Sequence, residues 1–364
     1  MDPQRLRMVH SLVLSLGLRP WFQLVPIRAC SVPDLRLFHS KEYLDFLTSV
    51  SHEKIISGQI PESDCLAFNI GPVKEGVDCT AFEGLVDYNL LVAGASLDAA
   101  YLLGTNQVDI AINWAGGFHH AKRSNAAGFC YVNDCVLAII QLLQTFQKVL
   151  YIDIDFHHGD GVEEAFYITD KVCTVSFHRF GAKRVFPGTG DVGDTGEGPG
   201  AYYAINFPFF GGVCDKVYLS VFKEVIGAVF EAYKPEAIVL QAGADSLAGD
   251  SVGMENGSFN LSTRAHAECV RFVRDLNKPL LVLGGGGYSK QSVARCWAVN
   301  TAVLCGQELN LPESVPTTDF YYSQYREKQL HVEGRKEAPD LNTPGRVAMV
   351  LERVLNNIAK IARD

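Results

Sequence analysis

The sequence predicts an α/β protein with a mostly parallel central sheet and helices on both faces. From residue 108 onward, short apolar runs rich in β-branched residues alternate with longer segments that have apolar residues at helical spacing. Strands that alternate with helices are typical of parallel sheets covered on both sides. The chain has 364 residues, 48% of them hydrophobic, and can bury a large core. Nothing in it forces a division, so we expect a single domain over 1–364.

The predicted elements follow in chain order. Strands are predicted at 108–113, 148–157, 171–177, 203–207, 237–241 and 280–283. Helices are predicted at 5–16, 41–50, 81–103, 132–147, 161–166, 216–233, 263–276, 291–304 and 346–361. Residues 51–80 are polar and interrupted by glycine and proline, and are therefore predicted to form a long surface loop.

Composition limits the class of protein. Asp and Glu number 41 against 32 Lys and Arg, and the net charge of -9 disfavours a protein that follows nucleic-acid phosphates. It is compatible with a basic, lysine-rich polypeptide ligand. The ten cysteines lack CxxC pairs, as expected in a reducing compartment. No apolar run reaches the ~18 residues of a membrane span, and a signal-peptide pattern is absent. We expect a soluble, intracellular protein.

The run DIDFHHGD (153–160) is the most informative stretch of the chain. Polar residues alternate with apolar ones, which would place Asp153, Asp155 and His157 on one face of a strand. Such groups are costly to bury without partners, and two carboxylates with an imidazole suit a divalent cation. The alternative interpretation is a solvated strand end followed by a helix N-cap at Asp160.

Four predicted strands end in unusual chemistry. The segments that follow them are GGFHH (116–120), HHGD (157–160), AGAD (242–245) and GGGGY (284–288). In open parallel sheets, ligands bind beyond the carboxyl ends of the strands, so we expect these segments to meet. Asp155, His157 and Asp245 would then give a metal three protein ligands and leave one position open, as in catalytic zinc sites.

The remaining residues of these segments provide acid–base groups. His119 and His120 can serve as a general base and acid if Asp153 and Asp160, respectively, orient them. Tyr288 can donate its hydroxyl to a developing oxyanion. Taken singly, each motif has another interpretation: two surface imidazoles, a phosphate-binding glycine turn, or an N-cap at Asp245. We interpret three further histidines as structural, because they lack an apparent carboxylate partner: His158, His178 and His266.

Five motifs together resemble the zinc-dependent histone deacetylases of class I. They are AGGFHHAKRSNAAGFCYVND (115–134), VLYIDIDFHHGDGVEEAF (149–166), VFPGTGDVGD (185–194), QAGADSLAGD (241–250) and LGGGGYSKQSVARCW (283–297). The resemblance implies an arginase-like fold and hydrolysis of the acetyl amide on lysine side chains. It maps Asp155, His157 and Asp245 to zinc ligands, with Fe²⁺ or Co²⁺ as substitutes. It makes His120 the general base and acid, His119 its partner and Tyr288 the carbonyl-polarising phenol.

The resemblance also implies groups that hold the substrate and structural potassium. Phe129 and Phe186 would form the walls of the acetyl-lysine channel, and Gly128 would offer its carbonyl to the substrate amide. Asp78 would grip the substrate backbone, and Val252 would lie at the channel rim. One potassium ion would be bound through Asp153, Asp155, His157, Ser176 and Phe177, and a second through Phe166, Thr169, Val172 and Tyr203.

The chain departs from the family pattern at several places. It begins at the Pro-x-Arg start of the first helix, so the usual first strand is missing, and it has insertions at 72–77 and 254–257. Ser251 and Gln291 stand where complex-forming class I enzymes have arginines that hold an inositol phosphate against a corepressor. We therefore predict activity without a corepressor, as in the stand-alone member of class I.

The expected partners are acetylated lysines of histone tails or other proteins, without direct nucleic-acid or membrane binding, in the nucleus, the cytoplasm or both. Two other functions are compatible with the residues. One is a hydrolase of acetylpolyamines or another small amide, since an acidic protein suits either cationic substrate. The other is an inactive scaffold that binds acetylated tails.

Overall fold

A parallel sheet of six strands forms the centre of the protein, as predicted. The structure, a computed structural model, describes residues 2–51, 53–54, 57–72, 77–181, 185–251 and 257–361. The strands are β1 (Ile70–Gly71), β2 (Cys79–Thr80), β3 (Ile110–Asn113), β4 (Val149–Asp153), β5 (Val172–Arg179), β6 (Ala204–Phe209), β7 (Ala237–Gln241) and β8 (Leu280–Leu283). The central sheet has the order β3-β8-β7-β4-β5-β6 with every pair parallel, and β1 and β2 form a separate pair.

Helices connect the strands and extend to both ends of the described chain. They are α1 (Gln4–Ser15), α2 (Val32–Leu35), α3 (Lys41–Ser49), α4 (Glu62–Phe68), α5 (Leu85–Gly104), α6 (Asp134–Leu142), α7 (Asp160–Phe166), α8 (Asp215–Tyr233), α9 (Thr263–Arg274), α10 (Lys290–Leu304) and α11 (Pro344–Ile361). Short 3-10 turns lie at Arg19–Trp21, Gly198–Gly200, Glu308–Asn310 and Tyr322–Gln324. Within the described residues, none of the helices combines the length and apolar character needed to cross a bilayer.

Both faces of the central sheet are buried because successive side chains of a strand point to opposite sides. Leu150 and Ile152 of β4 share a core with apolar residues of α1, α8, α9, α10 and α11. Val149 and Tyr151 of the same strand pack into a second core with α5, α6 and α7. This two-sided burial explains the near-continuous apolar strands and confirms the predicted fold class.

The sheet order brings the four chemically unusual segments to one edge. Strands β3, β8, β7 and β4 are consecutive neighbours and end at Asn113, Leu283, Gln241 and Asp153. Because all of them are parallel, the segments that follow them leave the sheet on the same side. The fold thus supplies the crevice that the sequence pattern requires.

One predicted strand is too long. The strand predicted over 148–157 ends at Asp153, so Asp155 and His157 lie beyond it rather than on its face. The aspartate side chains compete with the β-sheet hydrogen bonds here, because each accepts the backbone N–H of the residue two positions further along the chain. Asp153 accepts the N–H of Asp155 at 3.1 Å, and Asp155 accepts that of His157 at 3.0 Å.

The prediction of a continuous surface loop over 51–80 is also wrong. This segment contains α4, β1 and β2, and Phe68 at the end of α4 stacks on Phe46 with ring centroids 4.5 Å apart. Ile70 and Cys79 are fully buried in a third core. Burial of a few scattered apolar side chains therefore gives this segment helix and strand structure despite its polar composition. In a smaller correction, the helix predicted over 132–147 occupies only Asp134–Leu142.

Candidate active site

Two carboxylates and one imidazole converge beyond the ends of β4 and β7. His157 Nδ1 lies 3.2 Å from Asp155 Oδ1 and 3.1 Å from Asp245 Oδ2. All three residues are buried, and one ligand atom from each lies within 4.8 Å of the others. The structure thus brings together the three residues that the sequence suggests as metal ligands.

The charges in this cluster are those of a site that needs a cation. Burial and the Asp155 carboxylate raise the pKa of Asp245 to about 7. Burial alone would lower the pKa of His157, but the carboxylates of Asp155 and Asp245 raise it to about 10. A proton on His157 and a divalent cation would compensate the same excess negative charge. The donor set, two carboxylate oxygens and one ring nitrogen, fits a zinc-like ion.

Two glycines leave room for the carboxylates to approach each other. A Cβ at Gly243 would lie 2.0 Å from Asp155 Oδ2, and one at Gly286 would lie 2.2 Å from Asp245 Oδ2. Gly286 also donates its N–H to Asp155 Oδ2 at 2.8 Å. The crowding at this cluster therefore requires glycine at 243 and 286.

Gln241 is a site residue that the sequence analysis missed. Its Nε2 donates to Asp155 Oδ2 at 2.9 Å, and its Oε1 accepts the N–H of Gly243 at 2.8 Å. The side chain is fully buried at the last position of β7. A polar residue that closes an otherwise apolar buried strand was the signal available in the sequence.

His119 forms a buried pair with Asp153. Its Nδ1 lies 2.7 Å from Asp153 Oδ2, which also accepts the hydroxyl of Tyr151 at 2.6 Å. Burial would lower the pKa of His119, but the carboxylates of Asp153 and Asp155 raise it to about 9. The two carboxylates therefore favour the protonated form of His119.

His120 forms a second buried pair, with Asp160, and its pKa is shifted in the opposite direction to that of His119. Its Nδ1 lies 2.7 Å from Asp160 Oδ1, while Lys122 Nζ lies 2.7 Å from Asp160 Oδ2. Burial and the charge of His119, whose ring centroid is 4.0 Å away, lower the pKa of His120 to about 3. The Nδ1 contact leaves Nε2 as the nitrogen of a neutral imidazole that can accept a proton.

Tyr288 lines the same pocket as the histidines and the metal cluster. The pocket is bounded by Gly117, Phe118, His119, His120, Gly128, Cys130, Asp155, His157, Gly285, Gly286 and Tyr288. Burial and the carboxylates of Asp245 and Asp155 hold the pKa of Tyr288 well above its usual value. The phenol consequently stays protonated and can donate a hydrogen bond.

Asp250 holds the backbone at Tyr288 and is a second residue that the sequence analysis missed. Its Oδ2 accepts the N–H of Tyr288 at 2.8 Å and that of Ser289 at 3.0 Å. Asp250 is buried and lies in the loop after β7. Its position five residues after Asp245 offered no periodic signal in the sequence.

Aromatic side chains stand around the pocket. The Phe186 ring lies 4.8 Å from that of His120, and the Phe129 ring lies 6.1 Å from that of Tyr288. Gly128 is wedged between His120 and Phe186, since a Cβ there would meet their rings at 2.4 and 2.7 Å. Phe129 and Phe186 are 42% and 39% exposed, respectively.

The outer residues named from the family resemblance lie in different places. Asp78 accepts the N–H of Gly128 at 2.9 Å and so stands beside the aromatic walls. Val252 falls outside the described residues, as do 73–76 and 254–256 of the two insertions.

The reason given for interpreting His158 as structural is wrong. His158 does have a carboxylate partner, because its Nε2 lies 3.1 Å from Glu163 Oε2. Its Nδ1 lies 2.8 Å from Thr189 Oγ1. The partner lies five residues further along the chain, in the first turns of α7, whereas His158 precedes that helix.

Comparison with known proteins identifies the family. The family model described as histone deacetylase domain matches residues 1–304. The chain is 47% identical over 358 residues to histone deacetylase 6 of Arabidopsis thaliana, covering 98% of this chain and 72% of that protein. It is 47% identical over 363 residues to histone deacetylase 3 of Oryza sativa subsp. japonica, with coverage of 99% and 68%. Histone deacetylase 1 of Homo sapiens is 44% identical over 360 residues, with coverage of 98% and 71%.

The chain belongs to the histone deacetylase family. This confirms the resemblance drawn from the five motifs, including its class I character. As a member of this family, the chain is an enzyme, a hydrolase of acetyl-lysine amides.

The two groups of residues that the resemblance assigns to potassium lie partly within strands of the central sheet and partly next to them. Ser176 Oγ lies 3.4 Å from the N–H of Gly159, near the metal cluster. In the second group, the N–H of Thr169 donates to the carbonyl of Phe166 at 3.3 Å. Val172 begins β5, and Tyr203 directly precedes β6.

Proposed function

We propose that the chain hydrolyses the acetyl amide of N6-acetyl-lysine in histones or other proteins with a bound divalent metal. The observation that carries the proposal is the convergence of the metal cluster, two His–Asp pairs and a phenol on one pocket. Amide hydrolysis needs an activated water, a proton carrier and a donor for the oxyanion. The aromatic walls suit the long alkyl chain of lysine.

Asp155, His157 and Asp245 would hold the metal. Zinc is the first candidate, and Fe²⁺ or Co²⁺ can occupy such a donor set. When bound, the ion lowers the pKa of a water and polarises the acetyl carbonyl. Gln241 and the N–H of Gly286 orient Asp155 through its Oδ2, which keeps the ligand fixed during turnover.

The two histidines divide the proton chemistry between them. His120, neutral because of its burial and the neighbouring cation, takes a proton from the attacking water at Nε2 and later gives it to the leaving lysine amine. Asp160 keeps the ring in the required orientation through Nδ1. His119 remains positively charged against Asp153 and stabilises the negative charge that develops in the pocket.

The remaining groups bind and orient the acetylated side chain. Tyr288 donates its hydroxyl to the carbonyl oxygen as negative charge develops there. Phe129 and Phe186 enclose the alkyl chain, and the carbonyl of Gly128 accepts the amide N–H. Asp78 binds the peptide backbone at the rim. Potassium at the two groups beside the sheet would stabilise the strands that carry the site. Such an enzyme acts in the nucleus, the cytoplasm or both.

Release of acetate from an acetyl-lysine peptide tests the proposal, with metal analysis of the same sample. We expect turnover that is lost on removal of divalent metal and restored by zinc. An acetylated diamine measured beside the peptide serves as the competing substrate. Full activity of metal-free protein, or turnover of the diamine but not the peptide, would overturn the proposal.

A further inference from the structure

Asn69 and Asp78 form a reciprocal pair at the rim of the pocket. The Nδ2 of Asn69 donates to Asp78 Oδ1, and the Oδ1 of Asn69 accepts the backbone N–H of Asp78 at 3.0 Å. Nδ2 also donates to the carbonyl of Ala126 at 3.0 Å. One amide therefore ties the rim carboxylate, its own backbone and the loop before Gly128 together.

The same carboxylate shapes the turn that leads to the channel wall. Asp78 Oδ2 accepts the N–H of Gly128 at 2.9 Å. Gly128 and Phe129 follow each other with φ of 53° and 64°, both in the left-handed region. For Phe129 this conformation is unfavourable, so outside contacts must maintain it. Asp78 and Asn69 provide such contacts from across the rim.

Both oxygens of Asp78 have protein partners and still keep capacity to accept. A carboxylate oxygen has two lone-pair directions, so each can take a further N–H from a ligand. The hydrogen bonds from Asn69 and Gly128 restrict rotation of the Asp78 carboxylate, so its unused lone pairs point in fixed directions. A bound peptide would then lose less entropy in forming hydrogen bonds to Asp78.

We propose that Asn69 is a positioning residue for peptide substrates, acting through Asp78. This inference rests on the proposed function, in which Asp78 binds the peptide backbone. Asn69 ends α4 in the left-handed conformation, with φ of 54°. It lies away from the pocket lining, so it contacts neither the acetyl group nor the metal ligands. Its effect should appear with substrates that have a peptide backbone.

Because Asn69 has a positive φ, it can be replaced by glycine without introducing backbone strain. Asn69→Gly removes the amide while glycine adopts positive φ without strain. Asn106 is exposed, also has φ of 54° and follows the end of α5, so Asn106→Gly is the matched control. Asn69→Asp is a second probe, because it keeps the size but replaces the donor with a carboxylate that repels Asp78.

The experiment compares two substrates with each variant. One is an acetyl-lysine peptide, and the other is a monoacetylated straight-chain diamine, which has the acetyl amide and alkyl chain but no peptide backbone. For Asn69→Gly we expect KM for the peptide to rise about tenfold, the scale of a lost hydrogen bond to a charged group. The ratio of kcat/KM between peptide and diamine should fall by a similar factor. Asn69→Asp should lower it at least as much, and Asn106→Gly should leave it unchanged.

A double-mutant cycle separates positioning from general loss of structure. In an Asp78→Ala background, Asn69→Gly should have no further effect on the ratio if it acts through Asp78. An equal loss with both substrates, or the same loss in that background, would overturn the inference. A wild-type protein that does not turn over the peptide would instead overturn the proposed function.

Discussion

His119 and His120 are adjacent residues of one type whose pKa values are shifted in opposite directions. Each has its Nδ1 2.7 Å from a buried carboxylate, so the hydrogen bond alone does not distinguish them. The difference lies in the second neighbours. His119 also lies 3.9 Å from Asp155, whereas Asp160 shares its charge between His120 and Lys122. Charge at His119 lowers the pKa of His120, and this difference is what allows the two histidines to have different roles in the proposed reaction.

Tyr288→Phe should separate binding from chemistry. The phenol stays protonated in its buried position, and its hydrogen bond to the substrate carbonyl becomes strongest as negative charge develops. We expect kcat to fall by roughly 10²–10³-fold, with a smaller effect on substrate affinity. The measurement is steady-state acetate release together with peptide binding. Tyr101→Phe, at an exposed tyrosine of α5, is the control, and a Tyr288 variant that retains most of its kcat would refute the role.

Asp245→Asn should act through metal occupancy. A neutral amide is a poorer ligand for a divalent cation than a carboxylate, and Asp245 contributes one of only two buried carboxylates to the cluster. We expect the metal content of the purified variant to drop and activity to drop with it. Metal analysis after dialysis measures this directly, with Asp109→Asn at an exposed position as the control. Wild-type metal content in the Asp245 variant would count against its assignment as a ligand.

At the scale of elements, the ends of strands were harder to predict than their existence. The alternation in DIDFHH indicated a strand as far as His157, yet β4 ends at Asp153. Phe156 donates its N–H to Asp245 Oδ1 at 2.9 Å, a partner 89 residues away. Local periodicity cannot reveal such a tertiary competitor for a backbone hydrogen bond. The same holds for α4, whose Phe68 is anchored by Phe46 rather than by its neighbours.

The turn between β8 and α10 depends on Asp250. Without this carboxylate, the N–H groups of Tyr288 and Ser289 lose their acceptor, and the phenol is held less firmly. We expect Asp250→Ala to lower kcat about tenfold, the scale of one or two lost hydrogen bonds to a charged group. Metal content should stay at the wild-type level, because Asp250 is not among the three ligands.

A partial recovery of kcat distinguishes this role from simple destabilisation. Asp250→Asn keeps an oxygen that can accept one N–H, so its kcat should lie between those of the wild type and Asp250→Ala. Thermal unfolding of both variants controls for stability. Equal kcat in the two variants at equal stability would argue against positioning of Tyr288 by this carboxylate.

At the scale of the whole molecule, the proposed metal-binding and catalytic residues were easier to predict than the residues that hold them in position. Asp155, His157, Asp245, His120 and Tyr288 could be proposed because each lies at the end of a predicted strand or just after one, and the ends of parallel strands share an edge. Gln241, Asp250 and Asn69 could not, since each acts through a contact with a segment distant in sequence. The relatives match over 98% or more of this chain, and 1–364 as a single domain remains a prediction.

Two positions identified from the family resemblance lead to a prediction about regulation. Class I deacetylases of corepressor complexes hold an inositol phosphate with two arginines, and the matching positions here are Ser251 and Gln291. Gln291 Oε1 accepts the N–H of Arg326 at 3.0 Å, so this side chain serves a structural contact. Lys290 Nζ lies 2.9 Å from Asp2 Oδ2 and 2.7 Å from Gln4 Oε1. A lysine already paired in this way is a poor substitute for the bidentate phosphate contacts of arginine.

We therefore predict that the isolated chain is active without a corepressor. Deacetylation of an acetyl-lysine peptide should proceed at a rate that inositol hexakisphosphate and a corepressor activation segment change less than twofold, because neither position supplies a guanidinium. The Ser251→Arg, Gln291→Arg double variant is the informative comparison, since it restores both charges and should gain phosphate-dependent stimulation. Thermal unfolding of both proteins, with and without the phosphate, separates binding from activation. An inactive wild-type chain that the phosphate and segment together activate strongly would contradict the prediction, and a rise in its unfolding temperature would show that they bind it.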